Sequence, residues 1–351
     1  MSLTPPTPRA SHDRGPARPG EPVLEVEDLH VEFRTPRAVL HAVNGVSWSV
    51  GAGETLAILG ESGSGKSVSA QAIMGIIDSP PGFVTQGSVR FRGQDLFAMS
   101  EEERRRRRGD GVAMIFQDAL TALNPVFTVG WQIAETFRVH RGTSKRDAFA
   151  RAAELLERVG IPSPHERLRS FPHEFSGGMR QRAMIAMSLA LEPDVLIADE
   201  PTTALDVTVQ AQIMDLLEDL QADLGMGMVL ITHDLAVVAD TADHVAVMYA
   251  GRIVEQGPVD AVFKNPAHPY TLGLMRSIPP LERRESELDP IPGTPPSPAA
   301  IPPGCPFHPR CAFARDLCRS EEPPLEPVAD HRASACHFTE EVLAEEVLRD
   351  S

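Results

Sequence analysis

Residues Gly60-Glu61-Ser62-Gly63-Ser64-Gly65-Lys66-Ser67 have the spacing G-x-x-x-x-G-K-[ST] of a loop that wraps a phosphate chain. Its glycines let the backbone curl so that successive N–H groups and a helix N-terminus point at one anion. Lys66 adds positive charge for the β and γ phosphates, and Ser67 offers a hydroxyl to Mg²⁺. A second chemical group lies at Val195-Leu196-Ile197-Ala198-Asp199-Glu200, an apolar strand that ends in two carboxylates. Asp199 is placed to hold Mg²⁺, directly or through water, and Glu200 to accept a proton from the attacking water or to orient it. A glycine-rich turn that binds nothing and a strand end that faces solvent are the plainer readings. The two motifs together speak against both.

These residues need elements to carry them. Residues 54–59 form a short apolar run of strand character, and residues 68–77 are apolar at helical spacing, so the loop sits where a strand hands over to a helix. Ahead of it, residues 23–50 alternate as antiparallel strands do, with Asn44-Gly45 as a turn signal between two of them. Further strands are expected at 89–91 and 112–116, and helical spacing dominates 129–188, with loops at 161–164 and 171–178. From Asp194 the pattern runs strand (195–198), helix (209–220) and strand (228–231), the mark of a buried parallel sheet. Residues 245–248 and 252–255 form a hairpin across 249–251. Beyond Pro279 the composition shifts: residues 290–298 read as an extended proline-rich linker, and all four cysteines follow it.

The bulk properties bound the function. A length of 351 residues suits one large domain with an appendage, or two domains. The formal charge of −16 opposes general nucleic-acid binding. The arginine run 104–108 follows Glu101, Glu102 and Glu103 and reads as a solvated, partly self-neutralised helix end. Residues 1–21 carry Pro, Arg and Gly without an apolar stretch and read as a disordered leader rather than a signal peptide. No apolar run approaches the length that crosses a bilayer, so a soluble chain that meets a membrane through a partner is expected.

A phosphate loop by itself does not separate kinases, GTPases and ATPases. Phe175-Ser176-Gly177-Gly178-Met179-Arg180-Gln181-Arg182 closely resembles the signature sequence of ABC-transporter ATPases and precedes Asp199 as that family requires. The family pattern usually opens with Leu and often has Gln where Met179 stands, while the Ser-Gly-Gly core is intact. At a helix start, Ser176 and the backbone of Gly177 and Gly178 make a second anion site. The resemblance implies that this site grips the γ-phosphate bound to an opposite subunit, so that one chain makes only half of each site. It also implies that Gln117 touches Mg²⁺ and the attacking water, that Thr203-Ala204-Leu205-Asp206 crosses the dimer interface, and that His233 contacts the γ-phosphate. Phe33 is the candidate for stacking on adenine; its alternation with Val31 equally suits a core strand residue. The fold implied is α/β: a P-loop ABC ATPase with a RecA-like core, an antiparallel β subdomain and a helical subdomain at about 129–188. The nucleotide-binding domain then spans 22–279, and a linker and small Cys-containing extension occupy 280–351.

Several stretches resemble the ATPases of oligopeptide and dipeptide permeases: 59–67, 114–118, Leu123-Asn124-Pro125, His268-Pro269-Tyr270-Thr271 and 304–311. Nickel and glutathione importers share this pattern. The resemblance implies ATP and Mg²⁺ as ligands, and hydrolysis in a head-to-tail dimer with a copy or paralogue. Two transmembrane permease subunits and, through them, a substrate-binding protein would be partners, at the cytoplasmic face of the membrane. The chain would power uptake of di- or oligopeptides. A soluble ABC protein acting on nucleic acid or the ribosome would carry two cassettes, coiled-coil insertions or zinc modules, which this sequence lacks. A small-molecule kinase has no use for Ser176-Gly177-Gly178. Cys305, Cys311, Cys318 and Cys336 are spaced C-x5-C-x6-C-x17-C, without the C-x2-C of common zinc sites. Four thiolates could carry a [4Fe–4S] cluster, as in some peptide-permease ATPases with this tail; zinc and free thiols are the alternatives.

Overall fold

The computed structural model describes residues 21–203, 205–277 and 290–349. The leader expected at 1–21 (all but Glu21) and the domain boundary expected near 280 lie outside them. The chain divides into two compact units, one made of 24–50, 54–96 and 229–351, the other of 1–23, 51–53 and 97–228.

The unit that contains the phosphate loop begins with β1 (Leu24–Arg34), β2 (Val39–Val50), β3 (Thr55–Leu59), β4 (Gly82–Phe91) and β5 (Gln94–Asp95). Strand β1 lies between β2 and β4 and is antiparallel to both, in a sheet ordered β2-β1-β4-β5. Leu24, Val26, Leu29 and Val31 fill its inner face. Asn44-Gly45 is not the turn that the sequence suggested. The chain reverses at residues 35–38, where the Thr35 N–H donates to the Ala38 carbonyl at 3.0 Å. Gly45 sits inside β2 at φ +75°, and the pairing steps from His30↔Asn44 to Leu29↔Val46, leaving Gly45 as the extra residue of a bulge. Both roles ask for a left-handed glycine, which is why the dipeptide alone does not tell them apart.

In the other unit, β6 (Val112–Ile115) and β7 (Val195–Asp199) pair in parallel, Val112 opposite Val195, and all nine residues are buried. The expected helical region follows as Val129–Arg141, Lys145–Arg158 and Gly177–Ser188, with short turns between. Thr128 and Ser144 cap the first two helices by accepting N–H groups of Trp131 and Asp147. The arginine-rich segment is a helix, Glu101–Arg107, with Ser100 and Glu103 in a capping box and Arg104, Arg106 and Arg108 paired with Glu101, Glu102 and Glu101.

The first unit is completed by residues 229–232 of β8 (Gly227–Thr232), β9 (His244–Tyr249), β10 (Arg252–Pro258), β11 (Glu326–Ala329) and β12 (Arg332–Ser334). Its larger sheet runs β11-β12-β10-β9-β3-β8. β3 and β9 are parallel, and β9 and β10 form the expected hairpin through Ala250 and Gly251, both at positive φ. The Cys-containing extension packs into this unit. β12 pairs antiparallel with β10, and Cys305, Phe307 and Cys318 share one apolar cluster with Leu59, Val247, Tyr249 and Tyr270. The proline-rich segment belongs to no helix or strand, bends at Gly293 (φ +72°) and is docked: the Pro292 carbonyl accepts Arg310 Nε–H at 2.9 Å.

One buried ion pair fastens this arrangement. Glu255 on β10 is fully buried, accepts the N–H groups of Ala267 and His268 at 2.9 and 3.0 Å, and receives Arg332 of β12 at 2.9 Å. Burial pushes its carboxyl above the ordinary range and the guanidinium pulls it back. Removing one partner leaves the other charge buried alone. Arg332→Ala is therefore expected to destabilise the chain by about 3–5 kcal/mol in urea unfolding.

Candidate functional site

Strand β3 is buried at all five positions and delivers the chain into the loop at Gly60. A Cβ on Gly60 would lie 2.2 Å from the Met248 carbonyl oxygen, and one on Gly65, at φ +103°, would lie 2.3 Å from that of Ala42. The loop thus touches the backbones of β9 and β2 where no side chain fits. Gly65 caps the helix Lys66–Met74, so its first N–H groups open toward the loop. Lys66 is 5% exposed, and its ammonium donates to the carbonyls of Gly60 (2.7 Å) and Glu61 (3.0 Å). Ser67 is half-buried in the first helical turn, Ser64 is buried, and Ser62 and Gly63 are exposed.

Glu61 is held by residues that the sequence did not single out. Arg310 forms a fork to its carboxylate, at 2.6 and 3.0 Å, and the Glu61 N–H donates to Tyr270 Oη at 2.9 Å. The only available signal was an arginine and an aromatic inside two of the recurring runs, 304–311 and 268–271. In the same unit, His233 is exposed just after β8, beside Asp234, which caps the helix Leu235–Thr241. Phe33 is half-buried near the end of β1, opposite Leu40 and Gly82.

The second unit gathers the carboxylate chemistry. Asp199, 3% exposed, ends β7, and Glu200 follows in a left-handed conformation at φ +48°. A non-glycine residue there carries strain of order 1–3 kcal/mol. Glu200 Oε2 accepts hydrogen bonds from Gln117 Nε2 at 3.0 Å and Thr203 Oγ1 at 2.8 Å. Gln117, just past β6, and Glu200 thus meet across 83 residues of sequence. The contact from Thr203 was not foreseen. Ser176 caps Gly177–Ser188 through the Met179 N–H and is exposed, as is Gly177, so this helix start is open to an anion. A Cβ on Gly178 would crowd Val209 Cγ1 at 3.1 Å, and Gln181 binds the Pro201 carbonyl one residue past Glu200. Ala204 lies outside the described residues.

The four cysteines line one small cavity together with His268, His308 and Phe338. The Cys305 N–H donates to the Cys318 carbonyl at 2.8 Å. Burial pushes the Cys305 thiol up, Cys336 to about 11 and Cys311 to about 12, so these thiols stay protonated near neutral pH. Among the described residues, no three His, Cys, Asp or Glu side chains are disposed to hold a metal ion. The sulfurs are gathered but do not form a ligand set as they stand.

Comparison with known proteins fits both halves of this picture. A family model described as ABC transporter matches residues 43–203, which include the loop, Gln117, Ser176, Asp199 and Glu200. A second, the C-terminal region of oligopeptide/dipeptide transporters, matches residues 254–318, which include Arg310 and three of the cysteines. The oligopeptide transport ATP-binding protein OppD of Bacillus subtilis is 54% identical over 309 residues, 88% of this chain and 86% of its own. The dipeptide transport ATP-binding protein DppD of Escherichia coli is 52% identical over 316 residues, 90% and 96%. Among solved structures, a dimeric post-hydrolysis ATP-binding cassette bound to ADP and Pi is 26% identical with a TM-score of 0.60, covering 67% of this chain and 98% of its own. The cbiO1 protein of Clostridium perfringens, part of an ABC transporter complex, is 30% identical with a TM-score of 0.57, covering 69% and 90%.

The loop geometry makes a direct prediction. Gly60→Ala places a methyl group against the Met248 carbonyl and forces the loop to shift, so nucleotide binding measured by titration calorimetry should be lost in a chain whose circular dichroism is unchanged.

Proposed function

The chain belongs to the ABC-transporter ATPases, and from that premise we propose that it is the ATP-hydrolysing subunit of an importer of di- or oligopeptides. Peptides are favoured over nickel or glutathione because the relatives at 52–54% identity are named for oligopeptide and dipeptide transport. In this reading Lys66 and the N–H groups of residues 60–67 hold the phosphates, and Ser67, Gln117 and Asp199 hold Mg²⁺. Glu200 takes the proton of the water that attacks the γ-phosphorus as the bond to ADP breaks, and His233 touches the γ-phosphate. Ser176, Gly177 and Gly178 serve the nucleotide of a second ATPase subunit, a copy or a paralogue, and Phe33 stacks on adenine. Among the described residues no helix is long and apolar enough to cross a membrane. As the family resemblance implies, two permease subunits would place the chain at the cytoplasmic face, a substrate-binding protein would deliver the peptide, and nucleic acid has no part.

The observation that carries this reading is the Glu200 carboxylate, pinned by Gln117 and Thr203 beside a buried Asp199. A base must be held where its proton is taken, and a strained backbone is kept only where the surroundings enforce it. Glu200→Gln should retain MgATP binding and lose hydrolysis by about 10²–10⁴-fold. Hydrolysis at the unsubstituted rate would remove Glu200 from that role.

For the tail, four thiols on one cavity match a [4Fe–4S] cluster in number and kind. Loading it would expel the protons that burial now retains and draw the sulfurs together. It takes no step in ATP hydrolysis. Anaerobic purification should give a brown chain with about four iron atoms; a colourless, iron-free chain rejects the cluster.

A further inference from the structure

The guanidinium of Arg310 joins the cysteine-bearing segment to the phosphate loop, and the charge arrangement explains why the join matters. Glu61 is the first variable residue of the loop, so its carboxylate stands close to where a polyphosphate must come. Left unneutralised, a negative charge there would repel the phosphates. Arg310 cancels it with a two-pronged contact at 2.6 and 3.0 Å, from a side chain that is only 5% exposed. The fork itself has no freedom. Its Nε–H goes to the Pro292 carbonyl at 2.9 Å, and one terminal nitrogen also meets Tyr249 Oη at 3.4 Å. The residue lies in the turn His308–Arg310, between Cys305 and Cys311, and Cys305 is tied in turn to the Cys318 carbonyl. On the loop side, the Glu61 carbonyl accepts the Lys66 ammonium and the Glu61 N–H is fixed by Tyr270. An unbroken set of bonds therefore runs from the turn between Cys305 and Cys311 through Arg310 and Glu61 to Lys66.

We infer that Arg310 is a positioning residue for the phosphate loop, and that through it the packing of residues 305–318 sets the affinity of this chain for MgATP. This rests on the ATPase reading above. Linkage is reciprocal, so MgATP in turn steadies residues 305–318. Arg310 acts through Glu61 and touches no reacting atom.

The test uses the purified full chain for MgATP titration and the chain assembled with its membrane subunits for turnover. R310M should weaken MgATP binding by roughly tenfold and raise KM for ATP more than it lowers kcat. R310K, which keeps the charge without the fork, should fall between R310M and the unsubstituted chain. Adding E61Q to R310M should recover affinity, because the uncompensated carboxylate is gone; a purely structural role for Arg310 would make the two losses add. Hydrogen exchange over residues 305–318 should slow with MgATP in the unsubstituted chain and not in R310M. Unchanged affinity in R310M, an R310M loss that persists undiminished beside E61Q, or equal MgATP protection in both chains would overturn the inference. Should R310M fail to fold, R310K and E61Q decide, and full affinity in R310K overturns it. An unsubstituted chain that binds no MgATP defeats the ATPase reading itself, whereas normal binding with an indifferent R310M defeats only the linkage.

Discussion

Everything the phosphate loop can do depends on two places where backbone meets backbone without room for a side chain. Gly60 lies against the Met248 carbonyl and Gly65 against that of Ala42. Because the contacts are made by main chain, the loop inherits the rigidity of β2 and β9, and β9 is itself locked to β3 in parallel register. Preorganised donors gain most from such rigidity, since N–H groups already aimed at an anion need no reorganisation when it arrives. The short reach of Lys66 to the carbonyls of Gly60 and Glu61 belongs to the same economy of space.

The carboxylate unit solves a different problem with different means. Here a buried parallel pair, β6 and β7, carries Asp199 to its end, and the following residue is held in a conformation it would not choose alone. The two hydrogen bonds from Gln117 and Thr203 fix the Glu200 side chain in that unusual backbone setting. The open helix start at Ser176 is tied to the same turn, because Gln181 on that helix binds the Pro201 carbonyl. The helix that starts at Ser176 and the turn that carries Glu200 are therefore mechanically joined within one unit.

The tail joins in through packing. Cys305, Phe307 and Cys318 are core residues of the unit that bears the loop, and β12 extends its sheet. A proline-rich segment looks like a linker in sequence because proline favours extended backbone in either setting. Whether such a segment swings free or docks depends on what its neighbours offer. Here Arg310 accepts the role of anchor by donating to the Pro292 carbonyl.

Residue types and spacing were enough to identify the phosphate loop, the strand that leads to Asp199 and Glu200 and the helical region, and a family resemblance added the Ser-Gly-Gly helix start. Each of these is a local pattern, and local patterns reflect backbone periodicity and the few conformations glycine permits. Asn44-Gly45 marks the limit, since a left-handed glycine serves a turn and a bulge alike and only the partner strand distinguishes them. The bonds from Gln117 and Thr203 to Glu200, the fork from Arg310 to Glu61 and the gathering of four cysteines on one cavity were settled by the tertiary structure. Gln117 and Glu200 are 83 residues apart and Glu61 and Arg310 are 249 apart, and no periodicity along a chain encodes which distant side chains will meet at one carboxylate.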